Sequence, residues 1–340
     1  MDVRVRPASV GGCVDATVER RGDGVTVLRS TEALASYPAR LTDHLERWAR
    51  EAADRTFVAR RDARGAWQRV SYAQMLERAQ AVGQSLLDQG LSVERPLVIL
   101  SENSLEHLTL AMGALWAGVP FAPVSPAYSL VSQDHAKLKH ILGVLTPGLV
   151  FASDASYAKA IAAAVPADTP VALAHGELPG RRTLGYGGLL QTQPGATLRA
   201  AHDRVGPDTI AKFLFTSGST KVPKGVINTH RMWCANQQML RQCMRFLAEE
   251  PPVLVDWLPW NHTFGGNHNV GITLANGGTL YIDDGKPTPG GIAETLRNLR
   301  EISPTIYFNV PKGFEELVEA LETDRDLRER FFQRLRLMFY

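Results

Sequence analysis

Between Ser71 and Ala174 amphipathic helical segments alternate with short apolar runs, and this rhythm restricts the chain to a layered α/β fold with a largely parallel sheet. Ser71 and Gln74 form a capping box, after which Met75, Leu76, Ala79, Val82, Leu86 and Leu87 recur at helical spacing until Gly90. Residues 96–100 read as a strand, 104–117 as a helix stopped by Gly118, and 119–124 as the next strand. A helix over 134–145, a strand at 149–152, an alanine-rich helix at 157–164 and a strand at 170–174 continue the alternation. From 176 to 207 glycines, prolines and polar residues follow one another without period, which predicts a surface connection.

Beyond it the apolar run 210–215 (IAKFLF) reads as a strand, followed by strands at 253–258, 279–282 and 305–308 and helices at 291–301 and 312–323. With 44% hydrophobic and 21% charged residues the chain can bury a large core, which excludes disorder. The net charge of +2, with both signs interspersed, leaves no basic face for nucleic acid. Cys13, Cys234 and Cys243 make no CxxC pair and read as reduced thiols. No signal peptide opens the sequence, and glycines and a proline break the longest apolar stretch, 111–124, so a cytoplasmic protein without a membrane span is expected.

The strand at 210–215 runs directly into TSGSTKVPKG, positions 216 to 225. Gly218 and Gly225 allow close backbone approach, the hydroxyls of Thr216, Ser217, Ser219 and Thr220 can donate hydrogen bonds, and Lys224 adds a positive charge. These properties suit a polyphosphate. The Walker pattern is excluded, because Lys224 follows Pro223 and precedes Gly225, and no GxGxxG supports a dinucleotide site.

TSGST-x-x-PKG after an apolar strand resembles the signature loop of the AMP-forming ligase superfamily, which includes acyl-CoA synthetases, luciferases and peptide-synthetase adenylation domains. Lys221 stands where the family usually has glycine, and it either adds a phosphate contact or points into solvent. Downstream, VDWLPWNHTFGGNHN at 255–269 resembles the family's second core motif, which aligns Pro259 and His262 with motif positions. The resemblance implies that His262 borders the acyl pocket near the reacting carboxylate and that Phe264 and Gly266 shape that pocket. NTHRMW at 228–233 also resembles the family and equally fits a helix capped by Asn228 or Thr229. The longer string through GGTLYIDDGKPTPGG is most similar to feruloyl-CoA synthetase-type enzymes; Asp283, Asp284 and Lys286 within it read more simply as a polar turn than as a metal site.

What the resemblance implies is an α/β/α-layered N-terminal domain over 41–340, after an arm at 1–40. One subdomain would span about 95–249, and a second would join 41–94 to 250–340. ATP, with Mg2+, would meet a carboxylic acid such as ferulate to give acyl-AMP, and coenzyme A would then displace AMP. Lys224 and His262 would be catalytic, and Thr216, Ser217, Gly218, Ser219, Thr220, Lys224 and Gly225 would hold the nucleotide. No metal-ligating residues are assigned to the chain itself. The family's adenine segment, ribose-binding aspartate, hinge and small C-terminal lid domain fall after the equivalent of Tyr340, where LRLMFY reads as an unfinished strand. The expectation is therefore an N-terminal fragment, inactive alone, whose open sheet edge favours association. Two other readings remain: a noncatalytic nucleotide- or partner-binding remnant, and a ligase for fatty or other aryl acids.

Overall fold

The structure, a computed structural model, describes residues 7–12, 15–216 and 222–340. Cys13 and, in the glycine-rich loop, Ser217, Gly218, Ser219, Thr220 and Lys221 lie outside the described residues.

Within the N-terminal arm, β1 (Ala16–Arg20) and β2 (Thr26–Ser30) pair antiparallel and remain largely exposed. Next come α1 (Leu41–Glu51) and the antiparallel pair β3 (Thr56–Arg61) and β4 (Trp67–Ser71). Helix α2 (Tyr72–Asp88) starts on the expected box: the Gln74 N–H donates to Ser71 Oγ at 3.2 Å, and the Ser71 N–H donates to Gln74 Oε1 at 3.0 Å. Two donors that would otherwise lack partners are satisfied reciprocally. Ser71→Ala is expected to cost about 1 kcal/mol, read as a lower denaturant midpoint at unchanged slope; an unmoved midpoint would show that the cap adds nothing.

The larger sheet is built from β5 (Leu97–Leu100), β6 (Phe121–Pro123), β7 (Leu149–Ala152), β8 (Val171–Leu173), β9 (Thr183–Gly185), β10 (Ile210–Thr216) and β11 (Lys224–Thr229). Its order is β11-β10-β6-β5-β7-β8-β9, parallel throughout except for the antiparallel β10–β11 edge. Every residue of β5 and β7 is buried, as expected of strands covered on both faces. Helix α3 (Leu105–Ala117) buries all its residues but Glu106 and touches both β6 and β3, so it is a shared core element. It ends where expected, with Gly118 at φ 69° supplying the left-handed cap. On the sheet's other face α4 (Ala127–Leu130), α5 (Ala136–Leu145) and α6 (Ala158–Ala164) close a separate apolar cluster.

The segment read as a surface connection contains more order than its composition suggests. It supplies β9 together with α7 (Tyr186–Leu190) and α8 (Ala196–Arg204). The buried face of α8 is Leu198, Ala201 and His202, and His202 stacks on Trp116 with ring centroids 3.9 Å apart. One of the three core positions is therefore a histidine, and an apolar count passes over it.

From α9 (His230–Cys243) the chain enters β12 (Val253–Asp256), a π-helical turn at Phe264–Asn269, α10 (Val270–Ala275) and β13 (Thr279–Ile282). Strands β12 and β13 join β3 and β4 in a second sheet, ordered β12-β13-β3-β4. Helix α11 (Ile292–Glu301), β14 (Ile306–Phe308), α12 (Pro311–Thr323), α13 (Arg325–Phe332) and β15 (Leu337–Phe339) complete the described chain, with β14 and β15 paired in parallel. Among the described residues no helix is long and apolar enough to cross a membrane.

Candidate functional site

Strands β10 and β11 hold the two ends of the glycine-rich loop. Their last facing pair is Thr216 and Lys224, followed inward by Phe215 and Gly225. Thr216, Lys224 and Gly225 are exposed at this open end, so the hydroxyl, the ammonium and the bare backbone are available to a ligand. The preceding turn is tethered by His140, whose Nε2 lies 3.1 Å from the Pro223 carbonyl.

Strand β11 then leads from the loop to a pocket. Asn228 lies four residues beyond Lys224, about 13 Å at ~3.3 Å per residue, and lines a cavity of about 670 Å3. Thr229 caps the next helix, accepting the Met232 N–H at 3.3 Å, and α9 presents Met232, Trp233, Asn236 and Leu240 to the cavity. The opposite wall is the π-helical turn with Thr263, Phe264, Asn267 and His268, and Phe339 and Tyr340 complete it. The two walls are linked by hydrogen bonds: Trp233 Nε1 donates to the Asn267 carbonyl at 2.8 Å, and Asn267 Nδ2 donates to Asn228 Oδ1 at 2.9 Å.

Residues of the second motif occupy four different situations. Phe264 is in the pocket wall, edge-on to Phe308 and Phe339. His262 is exposed just before the turn; its Nδ1 accepts the Phe264 N–H at 3.3 Å and its carbonyl accepts the Gly266 N–H at 2.8 Å. Gly266 is buried and lines a separate cavity of about 10 Å3 behind Trp233, together with His107, Trp260 and Lys212. Pro259 lies in another cleft with Asn103, Trp257 and Asn261. In that cleft's rim Asp283 accepts from Thr295 Oγ1, Asn298 Nδ2 and the Gly285 N–H, while Asp284 pairs with Arg60 and Lys286 with Glu102. Its donors are committed to holding a turn.

In the sequence Lys212 and Asn236 carry no assignment, and Trp233, Asn267 and His268 stand only as members of the strings NTHRMW and VDWLPWNHTFGGNHN. Lys212 had a signal, a lone cation inside IAKFLF. It is 1% exposed, its ammonium 4.1 Å from the Trp233 ring centroid and 5.6 Å from that of Phe121, and burial pushes its pKa down to about 7. Burial likewise lowers His107 to about 4, despite the Glu102 carbonyl 3.2 Å from its Nδ1.

The fold is thus a largely parallel α/β sheet whose edge hairpin pairs Thr216 with Lys224, and β11 joins that end to the aromatic pocket. The sequence profile of the AMP-binding enzyme family matches residues 45–340, and the chain belongs to that family. It is 26% identical over 267 residues to the long-chain-fatty-acid–CoA ligase heimdall of Drosophila melanogaster, covering 75% of this chain and 38% of the relative. It is 26% identical over 293 residues to a salicylyl-CoA synthase / salicylate adenylyltransferase of a Streptomyces species, covering 84% of this chain and 50% of the relative. The chain thus spans half or less of these curated relatives. The fatty acid AMP ligase of Legionella pneumophila superposes with a TM-score of 0.63 at 18% identity over 85% of this chain and 47% of the other, a likeness of fold.

Proposed function

We propose that this chain carries the acid pocket and the phosphate loop of an enzyme that activates a carboxylic acid with ATP to an acyl-AMP and then a CoA thioester. The acid class proposed is a hydroxycinnamate such as ferulate. One observation carries the reading: a single strand, β11, begins at the phosphate loop with Lys224 and reaches an aromatic pocket with Asn228, one residue before its end. Bringing a carboxylate onto the α-phosphate joins two anions, so the catalytic task is mainly electrostatic. Lys224 and the hydroxyl of Thr216 serve the phosphates, together with Ser217, Gly218, Ser219 and Thr220. His262 and Phe264 border the carboxylate and its acyl group, and Gly266 sets how closely the turn packs. Magnesium would arrive with the phosphates, as part of the ATP complex.

Flat walls favour a ring over a chain. Trp233, Phe264, Phe339 and Tyr340 offer π-faces for stacking, while Asn236 on α9 supplies a polar group that an alkyl chain would leave unused. The salicylate-activating relative supports an aryl acid, and the fatty-acid relative supports the competing reading.

Calorimetric titration separates the two on the chain as it stands. Ferulate and p-coumarate are expected to bind more tightly than decanoate. A non-hydrolysable ATP analogue with magnesium is expected to bind roughly tenfold or more weakly to Lys224→Ala, the loss of a charge-assisted phosphate contact. Tighter binding of decanoate would transfer the reading to fatty acids; no binding of any acid or of the nucleotide would sink it.

A further inference from the structure

His262 and His268 flank the π-helical turn and present opposite hydrogen-bonding polarity. His262 Nδ1 accepts the Phe264 N–H, which leaves Nε2 as the nitrogen that carries a proton and donates. His268 is set the other way from behind. Its Nδ1 lies 2.9 Å from Asn269 Oδ1. Asn269 is fully buried, and its amide lies against the equally buried Asp256. Burial pushes the Asp256 carboxyl up to about 7, the Asn269 amide draws it back toward ionisation, and the Leu258 N–H donates to Oδ1 at 3.2 Å. Asp256 Oδ2 and Asn269 Nδ2 are both buried with no hydrogen-bond partner of bonding geometry among the described residues. A carboxylate on the nitrogen side of the Asn269 amide favours the orientation that turns its oxygen toward His268 Nδ1 at 2.9 Å, and an amide oxygen requires the proton on Nδ1.

The His268 ring is held by aromatic neighbours: its centroid is 4.7 Å from Phe308 and 5.4 Å from Phe264, both edge-on, and 6.2 Å from Phe339 in a near-parallel pose. Burial lowers its pKa, against the pull of Asn269, and so favours the neutral ring. Nε2 is left as a fixed acceptor on a residue that lines the 670 Å3 pocket.

We infer that His268 is a specificity-determining residue for a ring hydroxyl on the acid, with Nε2 accepting the hydroxyl proton and with Asn269 and Asp256 acting as positioning residues that fix its tautomer. The inference rests on the reading of this cavity as the acid pocket. It assigns the donor histidine to the carboxylate end and the acceptor histidine to the hydroxylated end of one substrate, and it narrows the class from aryl acids to hydroxylated aryl acids.

The test compares p-coumarate with cinnamate, which differ only by the ring hydroxyl, in equilibrium titrations of the chain and of His268→Phe and His268→Gln. The wild type is expected to prefer p-coumarate roughly three- to tenfold, the yield of one neutral hydrogen bond. His268→Phe should bring the two acids within twofold by weakening p-coumarate alone, and His268→Gln, which keeps an acceptor, should retain part of the preference. Imidazole 15N shifts of the wild type should show a protonated Nδ1 and a bare Nε2. Binding of both acids without preference, a preference that survives His268→Phe, or a proton on Nε2 overturns the inference while leaving the acid pocket in place. Failure of both acids to bind any form overturns the pocket reading, and the inference with it. The wild-type comparison and the 15N shifts decide the matter even where a variant does not fold.

Discussion

Lys212→Met is expected to stabilise the chain by about 3 kcal/mol at pH 7 and by almost nothing above pH 10.5. The ammonium is taken wholly out of water, and no carboxylate among the described residues compensates it; desolvation alone moves its pKa from 10.5 to about 7. A shift of that size corresponds to roughly 5 kcal/mol of disfavour for the charged form. Against it stand the Trp233 and Phe121 faces, where a desolvated cation–π contact is worth ~2 kcal/mol. Desolvation wins, and methionine fills a similar volume without the charge. The pH dependence follows from the sign of the shift. Below about pH 7 lysine is charged in both states and the penalty is complete. Between about 7 and 10.5 the unfolded chain binds the proton and the folded one does not, so wild-type stability rises with pH relative to the variant. Above 10.5 both states are neutral and the difference vanishes. Thermal unfolding at pH 6.5 should show a rise of roughly 4 °C, given ~2.1 cal/mol/K per residue; a variant less stable than wild type at that pH would show that the buried ammonium has a partner worth more than its desolvation.

Lys212 also marks where sequence reading stops. Elements with local determinants were legible: the Ser71–Gln74 box starts α2 and Gly118 ends α3, because each is decided within one helical turn. The apolar runs that became β5, β7 and β8 were legible because strands covered on both faces carry no polar residues to blur them. Strand β11 was not. It follows the loop with residues largely exposed at the sheet edge, so no alternation betrays it, and only its pairing with β10 makes it a strand. In the site, Phe264 was placed through motif resemblance. The pocket wall on α9 mixes Trp233 with Asn236, a pattern that serves neither core nor solvent and has meaning only opposite the π-helical turn. His268 needed Asn269 and Asp256 beside it, and the contact with Asp256 crosses from the turn to β12.

Gly266→Ala is expected to cost about 3 kcal/mol, at the upper end of overpacking, while Gly225→Ala leaves stability nearly unchanged. At Gly266 a Cβ would fall inside contact distance of the Trp260 carbonyl oxygen and 2.9 Å from its carbonyl carbon. These are backbone atoms, so no rotamer change relieves the clash. Neighbouring Gly265 is equally confined, its Cβ position lying 2.6 Å from the Pro259 carbonyl oxygen. The turn therefore packs backbone to backbone on the 258–260 segment, with Gly266 tied to the His262 carbonyl at 2.8 Å. That approach fixes the wall bearing Phe264, Asn267 and His268, so a displaced turn opens the pocket as well as the core. At Gly225 the nearest atoms are the edge of the Phe215 ring at 3.4 Å, an ordinary contact on an exposed strand. Denaturant unfolding of the two variants gives the comparison directly. Gly266→Ala within 0.5 kcal/mol of wild type, a margin usual for surface substitutions, would mean that the turn can slide off Trp260 freely, and the geometry assigned to the pocket wall would fall with it.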